Sequence, residues 1–120
     1  MLNVKNIEKI FAAIDEYWSP HIIGELNGQN VKAAKFKGKF PMHKHDNEDE
    51  MFLVVKGTIS IEFDDYTNVV NEGEFIVIPK GVAHSPSSEY ESQVLLFEPA
   101  STVNTGNSVN EFTKSNLKKL

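Results

Sequence analysis

Cysteine is absent from the 120 residues. Its absence excludes disulfides, thiolate zinc sites and cysteine nucleophiles, so a metal here must be held by imidazole and oxygen. Positive charge is also scarce. The formal net charge is −5, whereas a phosphate backbone or an anionic membrane surface calls for a basic footprint. The one basic cluster, Lys114, Lys118 and Lys119, reads as solubilising. No apolar run approaches the ~20 residues of a membrane span, and MLNVKNIEKI has neither the apolar core nor the cleavage site of a secretory signal. The expectation is a cytoplasmic protein without nucleic-acid or membrane partners. The rest of the composition, 40% hydrophobic and 24% charged, is that of a soluble globular chain, and the length suits one domain with one core.

Val4, Ile7, Ile10, Phe11, Ile14 and Trp18 recur at spacings of three and four. That period predicts an amphipathic helix within residues 1–19, capped by Asn3 and stopped at Ser19-Pro20. One helix cannot make a helical fold, so it is expected to pack on something else. From Pro20 the pattern changes to short strands: 21–26 and 31–37 around the tight turn Asn27-Gly28, then 51–55, 58–63, 66–70, 75–78 and 93–97. Strands at intervals of about eight to twelve residues, with no helical pattern between them, predict an all-β sandwich or barrel. The domain expectation is therefore an N-terminal helix over 1–19, a barrel over 20–100 and a C-terminal extension over 101–120. The end, EFTKSNLKKL, reads as a frayed helix or a mobile tail.

One stretch is chemically dense. HKHDNEDE, residues 43–50, holds two histidines and four carboxylates. Residues two apart on a strand face the same way, about 7 Å apart, which suits two ligands of one ion. His84 follows the Pro79-Lys80-Gly81 turn and can return on a neighbouring strand as a third ligand. His21 stands alone beside Pro20 and reads as a core or rim residue. Among the acids, Glu50 opens the apolar run Met51–Val55 and so can point inward. Asp46, Asn47, Glu48 and Asp49 read as a solvated loop.

The spacing carries a resemblance. Gly38, His43-Lys44-His45, Glu50 and Gly57 resemble the first motif of the cupin superfamily, and Gly73, Pro79, Gly81 and His84 resemble the second. Two departures stand out: four residues rather than five separate Gly38 from His43, and Ser88 stands where the second motif commonly ends in Asn. YWSP, ELNGQ and FEPASTVNTGN make the wider chain similar to small single-domain cupins often labelled mannose-6-phosphate-isomerase-like. The resemblance implies a single antiparallel double-stranded β-helix, a jelly-roll barrel, with a divalent transition metal (Zn, Mn, Fe, Ni or Cu) held by His43, His45, Glu50 and His84. The six residues between Glu50 and Gly57 favour Glu50 as the acid; Glu48 is the alternative, because a three-residue gap also occurs in the family.

Such a ligand set leaves coordination positions open, as a reactive metal site does. The reading is a metal-dependent enzyme of isomerase or dioxygenase type on a small oxygenated or sugar-like molecule, with Glu50 able to serve as the catalytic base. A non-catalytic ligand- or metal-binding module and an oligomeric scaffold are the competing readings. Phe40, Met42, Phe52, Ile61, Phe75, Ile78 and Phe97 are the expected apolar interior, and a homodimer is implied by the resemblance.

Overall fold

Seven antiparallel strands follow one short helix in the computed structural model, which describes residues 2–120. The elements are α1 (Ile7–Ala12), β1 (His21–Leu26), β2 (Gln29–Lys39), β3 (Glu50–Lys56), β4 (Thr58–Glu62), β5 (Thr67–Asn71), β6 (Phe75–Ile78) and β7 (Ser85–Pro99). The chain is all-β, with the strand order and antiparallel pairing of a cupin-type barrel. β1 and β2 pair around Asn27-Gly28, both at positive φ as a tight hairpin turn requires.

The fold turns on β7, which is fifteen residues long. Its second half lies between β2 and β3, with Val94 opposite both Ala34 and Val54. Its first half crosses to β4, with Pro86 opposite Ile61. This first half was missing from the expected strand over 93–97, because SPSSEYES is polar and contains proline. Pro86 is accommodated by its carbonyl alone, which accepts from the Phe40 N–H at 2.9 Å. At the crossing, the hydroxyls of Ser88 and Ser92 each donate to the Thr58 carbonyl at 3.1 Å. Ser88 thus has a structural role at the position where Asn is usual. Gly57 is required here: its φ is 93°, and a Cβ would lie 2.6 Å from the Ser92 hydroxyl.

Strand parity divides the apolar residues between two clusters. Ala34, Phe36, Phe52, Val54, Ile59, Ile61, Val94 and Leu96 fill the barrel. On the outer face of β2, Ala33 packs with Phe11, Ile14 and Ile23. The helix is shorter than expected. It starts at the cap Asn6, whose side chain accepts from the Lys9 N–H, and it ends at Ala13. Val4 lies outside it and is exposed. Trp18, at φ 57°, leaves the helical stripe and enters the barrel, stacking on Phe36 at 4.3 Å with its indole N–H on the Lys37 carbonyl.

The expected interior also needs correction. Phe40, Phe52, Ile61 and Ile78 are buried, but Met42 and Phe75 are exposed, and Phe97 is half-buried on the outer side of β7. The C-terminal segment forms no helix: residues 100–117 run in turns across one end of the barrel. Phe112 packs on Phe40 there. Ile22 then bonds to Lys118 and Leu120, so the segment's last residues lie along the β1 edge. No helix among the described residues is long and apolar enough to cross a membrane.

Candidate metal centre

His43 and His84 are joined by a two-hydrogen-bond bridge, the His43 N–H on the His84 carbonyl at 3.0 Å and the His84 N–H on the His43 carbonyl at 2.8 Å. This bridge is isolated, so His43-Lys44-His45 is not in the regular strand that its spacing suggests. The parity survives: His43 and His45 are buried and Lys44 is exposed. The Pro79-Lys80-Gly81 corner delivers His84 by local bonds. Gly81 N–H donates to the His45 carbonyl at 2.7 Å, and Lys80 N–H to the Asp49 carboxylate at 2.9 Å. Glu50 opens β3 and points into the barrel, 3% exposed.

One potential ligand atom from each of His43, His45, Glu50 and His84 lies within 4.8 Å of the others. Two rings are fixed by their backbones: His43 Nδ1 is 2.8 Å from the Pro41 carbonyl and His84 Nδ1 is 2.9 Å from the Val82 carbonyl. A carbonyl only accepts, so these Nδ1 atoms carry the proton and Nε2 presents its lone pair to the centre. Glu50 Oε1 stands 3.3 Å from His84 Nε2, and Oε2 stands 3.4 Å from His45 Nε2. Both nitrogens of His45, His84 Nε2 and Glu50 Oε1 are buried without a hydrogen-bond partner. Each such orphan costs about 1–3 kcal/mol. A shared dication would satisfy one nitrogen of His45 together with His84 Nε2 and Glu50 Oε1, so the residues fit a metal ion.

The electrostatics agree with that fit. Burial, and next the neighbouring His84, hold His43 down to about 4 from an ordinary 6.5. Burial, then His43, does the same to His45. His84 is lowered too, chiefly by burial. All three are therefore neutral at neutral pH, the form that ligates. Burial pushes the Glu50 carboxyl up, a cost that a bound cation would offset.

The loop acids lie elsewhere. Asp46 is 3.7 Å from the Lys44 ammonium and accepts from the Asn107 amide. Glu48 lies 3.4 Å from the Ser101 hydroxyl, near the surface. Neither is part of the buried donor group. His21 is buried apart from it, with Nδ1 2.7 Å from the Ser19 carbonyl.

Two further charges escaped the sequence reading. Glu98, 2% exposed, faces inward at the end of β7, and Lys32, 1% exposed, does so on β2. Their ion pair is 2.8 Å long. Burial, followed by the Glu50 charge, raises the Glu98 carboxyl well above its usual range. Strand parity was the available signal: Glu98 continues the inward series Val94, Leu96, and Lys32 precedes Ala34, Phe36. Beside the four donors lies a mostly apolar pocket walled by Trp18, Phe36, Phe40, Phe52 and Leu96, onto which His43, Glu50, Glu98 and Asn104 open.

Comparison with known proteins agrees with this architecture. A crystal structure of a cupin-2 domain protein from Shewanella frigidimarina is 38% identical with a TM-score of 0.79, covering 80% of this chain and 94% of its own. An uncharacterized protein of Bacillus subtilis, YdbB, is 33% identical over 89 residues, 73% of this chain and 79% of its own. The germin-like protein subfamily 3 member 3 of Arabidopsis thaliana is 30% identical over 104 residues, 79% of this chain but only 48% of its own. Residues 34–98 match the cupin domain family, which is more than half of the chain. This chain belongs to the cupin domain family.

Proposed function

We propose that the chain is a metal-dependent enzyme, of isomerase or dioxygenase type, acting on a small oxygenated molecule. The observation that carries this reading is the buried donor set of His43, His45, Glu50 and His84, several of its atoms without a partner, beside a mostly apolar pocket. When bound, a first-row dication would supply Lewis acidity, lowering the pKa of a hydroxyl it coordinates. His43 and His84 would be held as fixed ligands by Pro41 and Val82. Glu50 lines the pocket and has no hydrogen bond holding its Oε1, so it can turn toward the pocket and take a proton there. The apolar walls would exclude water from that step.

Metal analysis of protein purified without added metal is the first test. The expected result is about one equivalent of a first-row ion, present or restored by reconstitution. No stoichiometric metal and no gain on reconstitution would overturn the proposal. Oxygen uptake with catechols, flavonols or β-diketones then separates dioxygenase from isomerase.

A cytoplasmic homodimer belongs to the same proposal. Val69 on β5 and Phe75 and Val77 on the edge strand β6 are each more than half exposed. Such an apolar edge is covered by a second copy at low cost. Light scattering on the eluted protein should give twice the monomer mass of 13.5 kDa.

A further inference from the structure

All four donors are buried: His43 is 6% exposed, His45 and Glu50 are 3% and His84 is 1%. An ion, or a small molecule that follows it, reaches them only when some part of the wall moves. Most of that wall is held by paired backbone. Glu50 lies on β3 between β6 and β7, His84 is bridged to His43, and the Pro79-Lys80-Gly81 corner is bonded to the His45 carbonyl.

One part of the wall is different. Residues 103–117 cross it in turns, with neither strand nor helix. Gly106 lies so close to the ligand stretch that a Cβ there would be 2.8 Å from the Lys44 carbonyl carbon and 3.4 Å from His45 Nδ1. Phe112 packs on Phe40 with ring centroids 5.2 Å apart, and Phe40 packs on the His43 ring at the same distance. Asn104 lines the pocket beside the donors. The segment thus covers His45 directly and His43 through one ring.

Two sets of bonds decide how it can move. Inside the segment, the Asn104 amide donates to the Phe112 carbonyl at 2.8 Å, and the Lys114 N–H donates to the Asn104 side-chain oxygen at 2.9 Å. The fully buried Thr105 hydroxyl donates to the Ser108 carbonyl at 2.7 Å and lies 2.7 Å from the Thr113 hydroxyl. These ties hold its shape from within. Its hydrogen bonds to the ligand stretch, among the described residues, come from Asn107: the backbone N–H on the Lys44 carbonyl at 3.1 Å and the amide on the Asp46 carboxylate. The near end is anchored by Ala100 N–H on the Gly28 carbonyl and Lys32 Nζ on the Thr102 carbonyl, and the far end by Ile22 N–H on the Lys118 carbonyl. A body tied within, fixed at its ends and lightly held in its middle opens before any strand does. Closure also leaves His45 Nδ1 buried without a partner, which water would satisfy on lifting.

We propose that residues 103–117 are the gate of the metal centre. The segment lifts as one body from residues 44–46, pivoting at its anchored ends, and the metal and any small molecule that follows it enter beneath. This rests on reading the four donors as a metal site and adds how that site is reached.

Amide exchange and zinc exchange test it on the full chain. In metal-free protein the Asn107 amide should exchange at least about tenfold faster than the His43 and His84 amides, after correction for intrinsic rates, because the gate opens without the barrel. Asp46→Cys/Asn107→Cys places the chain's only two thiols across the gate, and thiol titration shows whether they have joined. Oxidised, this variant should release zinc to EDTA at least about tenfold more slowly than when reduced, with zinc stoichiometry unchanged. Asn107→Ala should release zinc faster than wild type. No zinc on wild type, together with fast Asn107 exchange, would defeat the metal reading and leave the gate standing as the way into the pocket. Bound zinc, with Asn107 exchanging as slowly as His43 and His84, would overturn the gate and leave the metal reading; so would equal release from the oxidised and reduced forms. The wild-type exchange ratio decides even where the thiols do not join.

Discussion

Lys32→Met leaves the Glu98 carboxylate buried without its ion-pair partner, and the cost can be worked from the structure. Lys32 Nζ is the only cationic partner of Glu98 among the described residues, and both side chains are 2% exposed. The variant's escape is to protonate Glu98. With an unfolded value of 4.5, proton uptake costs about 1.4 kcal/mol per pH unit above that, and because wild-type Glu98 is itself raised the deficit has a ceiling of about 4 kcal/mol near pH 7.5 and under about 1 near pH 5. The figure near neutrality agrees with the 3–5 kcal/mol usual for breaking a buried pair, roughly. The sign follows from proton counting. Lys32 lowers a Glu98 carboxyl that burial already raises in wild type, so the folded variant keeps its proton to higher pH than folded wild type does, and its deficit grows as pH rises through that interval. Urea unfolding in EDTA, followed by Trp18 emission, measures the deficit against wild type at both pH values, where shared histidine effects largely cancel. A domain of this kind has only about 5–15 kcal/mol to lose, so the effect is large. Adding Glu98→Leu should recover most of it, because an apolar pair in place of a buried ion pair is often neutral or stabilising. A deficit that does not change with pH, or one below about 1 kcal/mol near pH 7.5, would refute the reasoning.

His84→Ala should abolish stoichiometric metal, while Glu48→Ala should leave it nearly intact; elemental analysis showing the two outcomes exchanged would mean that the wrong acid was chosen. The pH slope of stability should become more positive on metal loading. In metal-free protein, His43 and His45, lowered from 6.5 to about 4, take stability away as pH falls through that window. The raised Glu50 and Glu98 take it away as pH climbs above 4.5. The two trends oppose between 4.5 and 6.5, so the melting temperature in EDTA is pulled both ways there. With a saturating dication, which binds only the deprotonated ligands, it should rise or hold; parallel curves would count against the ligand set. Gly106→Ala should cost about 2 kcal/mol or more, because φ is 61° and its Cβ would lie 2.8 Å from the Lys44 carbonyl carbon. Limited proteolysis should then cut more readily within 100–117, and unchanged resistance would contradict the close packing of that segment.

The barrel and its four donors were legible because both rest on local signals. Asn27-Gly28, Gly57 and the Pro79-Lys80-Gly81 corner specify turns by their own backbone preferences, and those turns largely set where strands begin and end. The donors were legible for the same reason, since each lies within a few residues of such a turn or strand start. What the sequence hid depends on pairing between distant segments. Ser85–Ser92 carries no apolar alternation, and it becomes strand only because β2 and β4 present edges to it. Trp18 has the right spacing for the helix stripe, yet it leaves the helix, since stacking on Phe36 and bonding Lys37 inside the barrel satisfies more of its surface. Phe75 has strand spacing but outward parity, which no local pattern distinguishes from inward when a strand is four residues long.

Glu98 and Lys32 show most clearly where local reading ends. Each alone is a charge that ordinarily belongs on a surface. They are separated by 66 residues, and only the registers of β2 on β7 and β7 on β3 bring Lys32, Glu98 and Glu50 onto one inner face. The consequence reaches the chemistry. Glu50 and Glu98 together put two carboxylates into an interior that has one ammonium and three neutral imidazoles. With both acids ionised, that interior carries one uncompensated negative charge, which a low dielectric strongly disfavours. Binding a dication reverses the sign to one positive charge, leaving room for a ligand hydroxyl that ionises as it coordinates. The buried pair beside the donors thus ties the affinity for metal to the kind of ligand that follows it, a coupling invisible in His43, His45, Glu50 and His84 alone.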